Sequence, residues 1–514
     1  MVEPKSLTKT AILWIAGVAG WLVFSAVLGS FGLSVAMLLI LHLLATGIML
    51  AWIMRRSMVA QAVLFRAPVA NVVHALTPYG GAASWLSGFG TVGLVAAIVM
   101  WGEGAFVLLA AIIGGMVVVG TIVAPVLAEA RAQSLKGWIA GRFGPRAEGA
   151  GGAVLTLAAM AILIVQMMFA GLVAEAVVGV SRLVVVPVVV VLTMVSVLGG
   201  GVGGMVRSQA ALFLFLLVGA VVPALWLGMA QTGIVVPHVA PGALLHEMTV
   251  AQARLGEVSA DPFGAMLLGV TVMLGLIALP HTLVRWPTED NGVEARRFVR
   301  RSTVMAVLVI AALPLFALAG RAAWYSAALA EGAAMPDAAT SGQALAMLVT
   351  TLDPPAWLLA TAGAGALAAI VAACAGAVMV AIDALGGDAQ AETAGTALSR
   401  YRWIGAAVVV IAAVVSLFLP FDPLLAAFVL LAFAASAFLS PLMLGLLWPG
   451  MTGGGALAGM ASGAVACIAL MAWGYSAVGG MAVCCAAVSA LVSVAISLIR
   501  PDQPQAAPVR FMGN

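Results

Sequence analysis

Charge is nearly absent from this chain except in short clusters, and the stretches between clusters are long enough to cross a bilayer. Charged residues are 8% of the 514 and hydrophobic ones 64%, with a mean hydropathy of +1.19. A soluble domain is roughly half apolar and a quarter charged, so no water-soluble surface can be assembled from these residues. Lipid offers the backbone no hydrogen-bond partner, so a span of about 20 apolar residues must be a helix or part of a closed barrel. The runs lack the period-2 polar alternation of barrel strands. The expected fold class is an all-α polytopic membrane protein.

Apolar runs between turn and charge clusters predict about fourteen helices, over 11–29, 33–54, 70–97, 104–128, 151–179, 183–200, 208–231, 263–284, 303–322, 355–384, 402–420, 423–447, 455–475 and 479–499. Lys5 and Lys9 precede the first run as they would in a secretory leader. No A-x-A site follows and a second run comes at once, so an uncleaved span is expected. With residue 1 cytoplasmic, nineteen Lys and Arg residues fall on inner segments and three (Arg182, Arg254, Arg321) on outer ones, the asymmetry of the positive-inside rule. Both termini are therefore expected in the cytoplasm, with the chain in a bacterial inner membrane. The densest charge patch, "LPHTLVRWPTEDNGVEARRFVRRS" over 279–302, carries five arginines between 285 and 301. It reads as a cytoplasmic anchor, with a phosphate or nucleotide site as the alternative.

Other classes find little support. The net charge of +3 comes from basic residues that punctuate spans, so no nucleic-acid face is expected. The five histidines are scattered without metal spacing, no serine has His and an acid beside it, and no P-loop occurs. The chain is not expected to be an enzyme, nor to hold a cofactor or metal other than a coupling ion. Cys374, Cys467, Cys484 and Cys485 lie in apolar stretches and read as small packing residues.

Two helices carry interruptions that a plain anchor does not need. The first reads "NVVHALTPYGGAASWLSG", with Pro78 and the Gly80–Gly81 pair; the second reads "VTVMLGLIALPHTLVRW", with Gly275 and Pro280. Proline removes a backbone donor and glycine lets the chain leave helical geometry. Backbone freed at membrane depth is tolerated where it is buried in protein or lines a cavity. The second interrupted helix opens a new set of five spans and enters from the opposite side, as an inverted-repeat secondary transporter requires. The plainer alternative is that Gly and Pro are common in membrane helices.

These residues also carry a resemblance. "NVVHALTPYGGAASWLSG", "SLKGWIAGRFG", "VQMMFAGLVAEAVVG", "VGGMVRSQ" and "DPFGAMLLGVTVMLGLIALPHTLVRW…EARRFV" run in an order and spacing similar to the sodium:solute symporter family. The chain looks closest to its acetate-permease-like branch, and "LPHTLVR…EAR" is the most specific element. The resemblance covers about residues 70–450. It implies a LeuT-type core of two inverted five-helix repeats, repeat one over 70–231 and repeat two over 262–447, that takes up a small organic solute such as the monocarboxylate acetate. Residues 1–69 would be an added two-helix hairpin and linker, similar to a small companion subunit of this branch, and 451–514 two further helices with a cytoplasmic tail. The alternative is a transporter-like sensor that binds solute without moving it.

The resemblance implies the site residues as well. It puts the unwound segment at Pro78, Tyr79, Gly80, Gly81 and Ala82, where family members usually carry a polar or acidic residue in place of Pro78 or Tyr79. Their carbonyls would face the ion, and Tyr79 could offer a hydroxyl to a carboxylate. Gln166 is the strongly polar residue in the middle of its helix; it matches a family glutamine and reads as a substrate contact or as helix–helix glue. Counting back from Asp388, Ala372 and Ala373 stand where sodium-coupled relatives place hydroxyl ligands, which puts the usual sodium site in doubt and leaves Na+ or H+ as the coupling ion. Asp383, Glu175 and His74 are ionisable residues within spans and so proton-coupling candidates, with a solvated end position as the alternative for Asp383. Pro280 and His281 would gate or cap the inner end of the second broken helix.

Overall fold

Every regular element is helical; no strand occurs among the described residues, which in the computed structural model are 4–61, 65, 77–130, 132, 134–233, 240–255, 261–284, 286, 291–331, 338–387, 394–473 and 478–500. Among these, ten helical stretches are long and apolar enough to cross a membrane, and shorter apolar helices cover 16–30, 182–197 and 262–278. The chain is an integral membrane protein.

In chain order the helices are α1 (Pro4–Ser30), α2 (Val35–Ser57), α3 (Thr77–Leu86), α4 (Leu94–Trp101), α5 (Phe106–Val118), α6 (Ala124–Glu129), α7 (Leu135–Phe143), α8 (Pro145–Leu172), α9 (Arg182–Val197), α10 (Gly201–Thr232) and α11 (Ala240–Leu255). Then follow α12 (Pro262–Ala278), α13 (Pro280–Leu283), α14 (Gly292–Ala312), α15 (Pro314–Glu331), α16 (Ser341–Leu352), α17 (Ala356–Leu385), α18 (Ala394–Phe418), α19 (Pro423–Ala434), α20 (Ser440–Leu447), α21 (Gly453–Ala472) and α22 (Val478–Ile499).

Helix α17 is the axis of the molecule: 94% of its most apolar window is buried. Its sequence explains this, because alanine and glycine let other backbones come close. Gly365 of α17 meets Gly219 of α10 so tightly that a Cβ on either would stand within 2.8 Å of the other's Cα. The hairpin α1–α2 lies outside this centre, α2 packing on α9, α10 and α17. At the far side α21 and α22 pair through small residues. Gly455, Gly459 and Gly463 face Ser497, Ser493 and Ser489, and Gly463 also seats the Ser436 carbonyl between α19 and α20.

The arginine patch is more ordered than a loop. Asn291 caps α14 by accepting from the Glu294 amide at 2.9 Å, and the helix starts eleven residues before the expected span at 303 (303 − 292). Ala295, Phe298, Val299 and Ser302 turn inward, while Arg296, Arg297, Arg300 and Arg301 stay exposed. The period of 3.6 was masked by the density of charge, yet one face is apolar enough to pack.

Two corrections concern the interrupted helices. The break in the first does not fall at Pro78–Ala82, all of which are helical in α3. It falls at Ser87–Gly88, where Ser87 adopts the left-handed region at φ 52°, before a wide turn over Phe89–Gly93 leads into α4. In the second helix Gly275 is likewise helical, and the break comes at Leu279, which is extended (φ −66°, ψ 116°). Pro280 explains the latter, since the residue before a proline is driven out of the α region.

Candidate functional site

The first break exchanges one helical hydrogen bond for two side chains. In an unbroken helix the Gly88 amide would donate to the Ser84 carbonyl. Here Gly88 N–H donates instead to Gln166 Oε1 of α8 at 2.8 Å, and the Ser84 carbonyl accepts from His281 Nε2 of α13 at 3.2 Å. A carbonyl can only accept, so His281 carries its proton on Nε2. Gln166 and His281 are both buried. Because His281 sits directly after the second break, the two broken helices are joined through it. Thr91 closes the turn by donating to the Ser87 carbonyl at 2.7 Å.

The glycine pair serves approach rather than unwinding. A Cβ on Gly80 would lie 3.0 Å from Gln209 Cβ of α10, and one on Gly81 would lie 2.5 Å from Ser302 Oγ and 2.8 Å from the Phe298 ring of α14. Helix α3 is thereby wedged between α10 and α14. Ser302 Oγ donates to the Pro78 carbonyl at 2.8 Å, satisfying an acceptor that faces a buried environment. The Tyr79 ring packs against Phe213 with centroids 5.6 Å apart, and Ala82 is fully buried. Gly275 does for α12 what Gly81 does for α3: a Cβ there would meet the Leu431 carbonyl of α19 at 2.5 Å.

Behind α3 stands the waist of α17. Ala372 and Ala373 are fully buried, and the Ala372 carbonyl accepts from Gln209 Nε2 at 2.7 Å. One turn on, Gly376 leaves room for the His281 backbone, whose carbonyl would be 2.9 Å from a Cβ there. Gln166, His281, Pro78, Gly80, Gly81, Ala372 and Ala373 are thus gathered around α3, together with Ser84, Ser87, Gln209 and Ser302.

Glu175 and Asp383 stand apart from this centre. Glu175 forms a forked ion pair with Arg182, both contacts 2.7 Å, across the exposed turn between α8 and α9. Asp383, near the C-terminal end of α17, accepts from the Lys136 backbone amide at 3.2 Å, while Lys136 Nζ donates to the Ala384 carbonyl at 3.0 Å. Its carboxylate meets the N-terminal turn of α7, whose free amides favour negative charge. Arg142 of the same helix donates to the carbonyls of Gly445, Trp448 and Met451 at 3.1–3.2 Å. Helix α7 is therefore pinned to α17 at one end and to α20 at the other. His74 and Asp388 lie outside the described residues.

Next to the first break, a cavity of about 100 Å³ lies between α4, the turn that follows α8, α10, α15, α16 and α17. Among the described residues that line it, Thr91 alone has a polar side chain, and Val95, Leu216, Leu313, Phe316 and Leu345 typify the rest. Such a space suits a short hydrocarbon group.

Gln209 and Ser302 carry no signal of their own in the sequence. Both belong to recognisable stretches, "VGGMVRSQ" and the arginine patch, but their partners are backbone carbonyls of distant helices, which leave no side-chain pattern to read.

Two comparisons bear on this arrangement. The model of the sodium:solute symporter family matches residues 68–463, leaving the hairpin α1–α2 outside the match. Among solved structures, the chain is similar to one described as the substrate-bound outward-open state of a Na+-coupled sialic acid symporter, with a TM-score of 0.69 at 15% identity, covering 92% of this chain and 100% of that one. At that identity the likeness is one of fold.

Proposed function

The chain belongs to the sodium:solute symporter family, and from that premise we propose that it carries a monocarboxylate such as acetate across a bacterial inner membrane together with a cation. Fourteen spans form the membrane domain. A LeuT-type first repeat runs from α3–α4 through α5–α6, α8 and α9 to α10, and an inverted second runs from α12–α13 through α14–α15, α17 and α18 to α19–α20. Each repeat opens on a broken helix, and the termini are cytoplasmic. The observation that carries this reading is the exchanged bond at Ser84–Gly88: two side chains from other helices hold the break open, which a passive kink does not need.

The solute's alkyl group fits the apolar cavity beside Thr91, and its carboxylate faces the amide-bearing start of the turn into α4, where the helix dipole favours an anion. Protons replace sodium at least in part, since Ala372 and Ala373 offer methyl groups where a hard cation needs oxygen ligands. Asp383, which accepts from the Lys136 amide of α7, then takes part in the proton relay. The hairpin α1–α2 takes the place of a separate companion subunit.

Reconstituted vesicles test the proposal, with uptake of a panel of labelled monocarboxylates measured under sodium and pH gradients imposed separately. Accumulation under an inward proton gradient without sodium is expected. Uptake that requires sodium and ignores the pH gradient would refute proton coupling, and failure to accumulate any monocarboxylate would refute the solute class.

A further inference from the structure

The geometry points to a binding site for an apolar molecule that carries one hydroxyl group, held between the hairpin α1–α2 and the paired helices α10 and α17. A cavity of about 620 Å³ lies there, the size of a small-molecule site. Leu22 of α1, Met49 of α2, Leu214 and Phe215 of α10 and Ala364 of α17 typify its apolar wall. Collapse cannot close it from the inner side. Helices α10 and α17 already touch through backbone, the Phe215 carbonyl lying 2.9 Å from where a Gly365 Cβ would be. On the outer side Ile48 and Trp52 of α2 also line it, 72% and 48% exposed, so it opens towards lipid.

Two polar groups of the lining residues lack partners, and they are complementary. His42 is buried, and its Nδ1 lies 2.8 Å from the Leu38 carbonyl. A carbonyl only accepts, so Nδ1 carries the proton and Nε2 of the neutral ring is an acceptor. The hydroxyl that approaches it, Thr361 Oγ1 at 3.5 Å, has given its proton to the Trp357 carbonyl at 2.7 Å. Nε2 therefore receives no donor at hydrogen-bonding distance. Trp21 supplies the converse: its indole N–H is shut off from solvent and finds no acceptor among the described residues. The two rings meet edge to face with centroids 5.6 Å apart. A hydroxyl has one proton and two lone pairs, so a single one set between them donates to His42 Nε2 and accepts from Trp21 Nε1–H. An ester or ketone oxygen cannot do both.

Depth narrows the class. Trp52, with the Arg56 guanidinium 4.2 Å from its ring centroid, has the signature of a residue at the membrane–water interface. His42 lies ten positions before it (52 − 42), about 15 Å deeper along the helix. That is near the middle of a hydrocarbon layer about 30 Å thick. A phospholipid headgroup does not reach that depth, and its acyl chains offer no donor. The occupant is a molecule dissolved in the hydrocarbon itself, an isoprenoid alcohol or an alkylated phenol, and its recognition is independent of the solute carried.

Full-length protein in dioleoylphosphatidylcholine nanodiscs tests this, with binding measured above that of empty nanodiscs. The probes are tritiated farnesol and 4-nonylphenol, each beside its methyl ether, which keeps the acceptor and lacks the donor. Wild type is expected to bind at least one of the hydroxyl probes saturably and its ether about tenfold more weakly. Which of the two binds tighter tells an aliphatic occupant from an aromatic one. In His42→Leu the hydroxyl probe and its ether should bind alike; in Trp21→Phe both should weaken with the ratio between them kept. Ala45→Phe fills the cavity from α2 and leaves both polar groups in place. It should abolish binding of all four probes, and it serves if the other variants do not fold. No saturable binding of either hydroxyl probe, equal binding of probe and ether to wild type, a preference that survives in His42→Leu, or unchanged binding in Ala45→Phe would each overturn the inference.

Discussion

Removing Gln166 should loosen the helix break in a way that removing His281 partly cures. In Gln166→Leu the Gly88 amide loses its acceptor at 2.8 Å within a buried turn, and a buried unsatisfied donor costs about 1–3 kcal/mol, or roughly 5–150-fold in the opening equilibrium. His281→Leu strands the Ser84 carbonyl in the same way. In the double variant the two orphaned groups are i and i+4 on one chain, so α3 can extend through them and form the ordinary helical bond. That restores about 1 kcal/mol or more, so the double loss should fall short of the sum of the single losses. Hydrogen–deuterium exchange over a peptide spanning residues 84–93 reads this directly. Both singles should exchange faster there, and the double should be slower than additivity requires. Transport should fail in the double variant, because re-zipping closes the break. If the single variants leave exchange over 84–93 unchanged, or the losses simply add, the exchanged bond does not hold the break open.

Gly81→Ala should lower the unfolding temperature in detergent by several degrees, since its Cβ would lie 2.5 Å from Ser302 Oγ and overpacking costs about 1–3 kcal/mol; an unchanged value would mean that α14 yields freely. Arg142→Met should expose the inner end of the molecule, because three carbonyl contacts are lost at a cost of roughly 3 kcal/mol; a cysteine at position 136 should then react faster in inside-out vesicles, and equal rates would argue against the pinning role of α7. Asp383→Asn should leave solute exchange intact but abolish accumulation under a pH gradient, and retained accumulation would remove Asp383 from coupling. Cysteines placed at 136, 297 and 401 should be protected from an impermeant reagent in intact cells while one at 250 is labelled; outside labelling of 297 would invert the topology.

Apolar runs between charge clusters place most of the long spans, because a span must be apolar over its whole length and a loop need not be. They put the start of α14 eleven residues late (303 − 292) and leave out α7, α11 and α16. Breaks follow a different logic. Pro78, Gly80 and Gly81 have the composition of an unwound segment, yet in α3 the glycines are there for what they leave out, and the turn that unwinds at Ser87–Gly88 is stabilised from α8 and α13. No local pattern could reveal that, since the stabilising side chains are distant in sequence (88 to 166 and 84 to 281). Gln166 stands out because a polar side chain in lipid must have a partner, and His281 through the Pro-His of the resemblance; which partner each takes is beyond reach of the sequence. Asp383 shows the converse. It reads as a lone charge because its acceptor role is met by a backbone amide of α7, and amides look alike in every sequence.

The glycine–serine seam between α21 and α22 bears on how the chain is assembled. When α21 first enters the membrane it presents bare backbone at Gly455, Gly459 and Gly463, and nothing yet fills those notches. Only after α22 has been inserted can Ser489 donate to the Gly459 carbonyl (2.9 Å) and Ser497 receive the Thr452 amide (3.2 Å). Insertion therefore precedes pairing, as in a two-stage process. Since Gly463 also seats the Ser436 carbonyl, closing this hairpin clasps the α19–α20 bend. A ribosome that stalls between the two helices would leave an unclasped intermediate, ready for quality-control proteases.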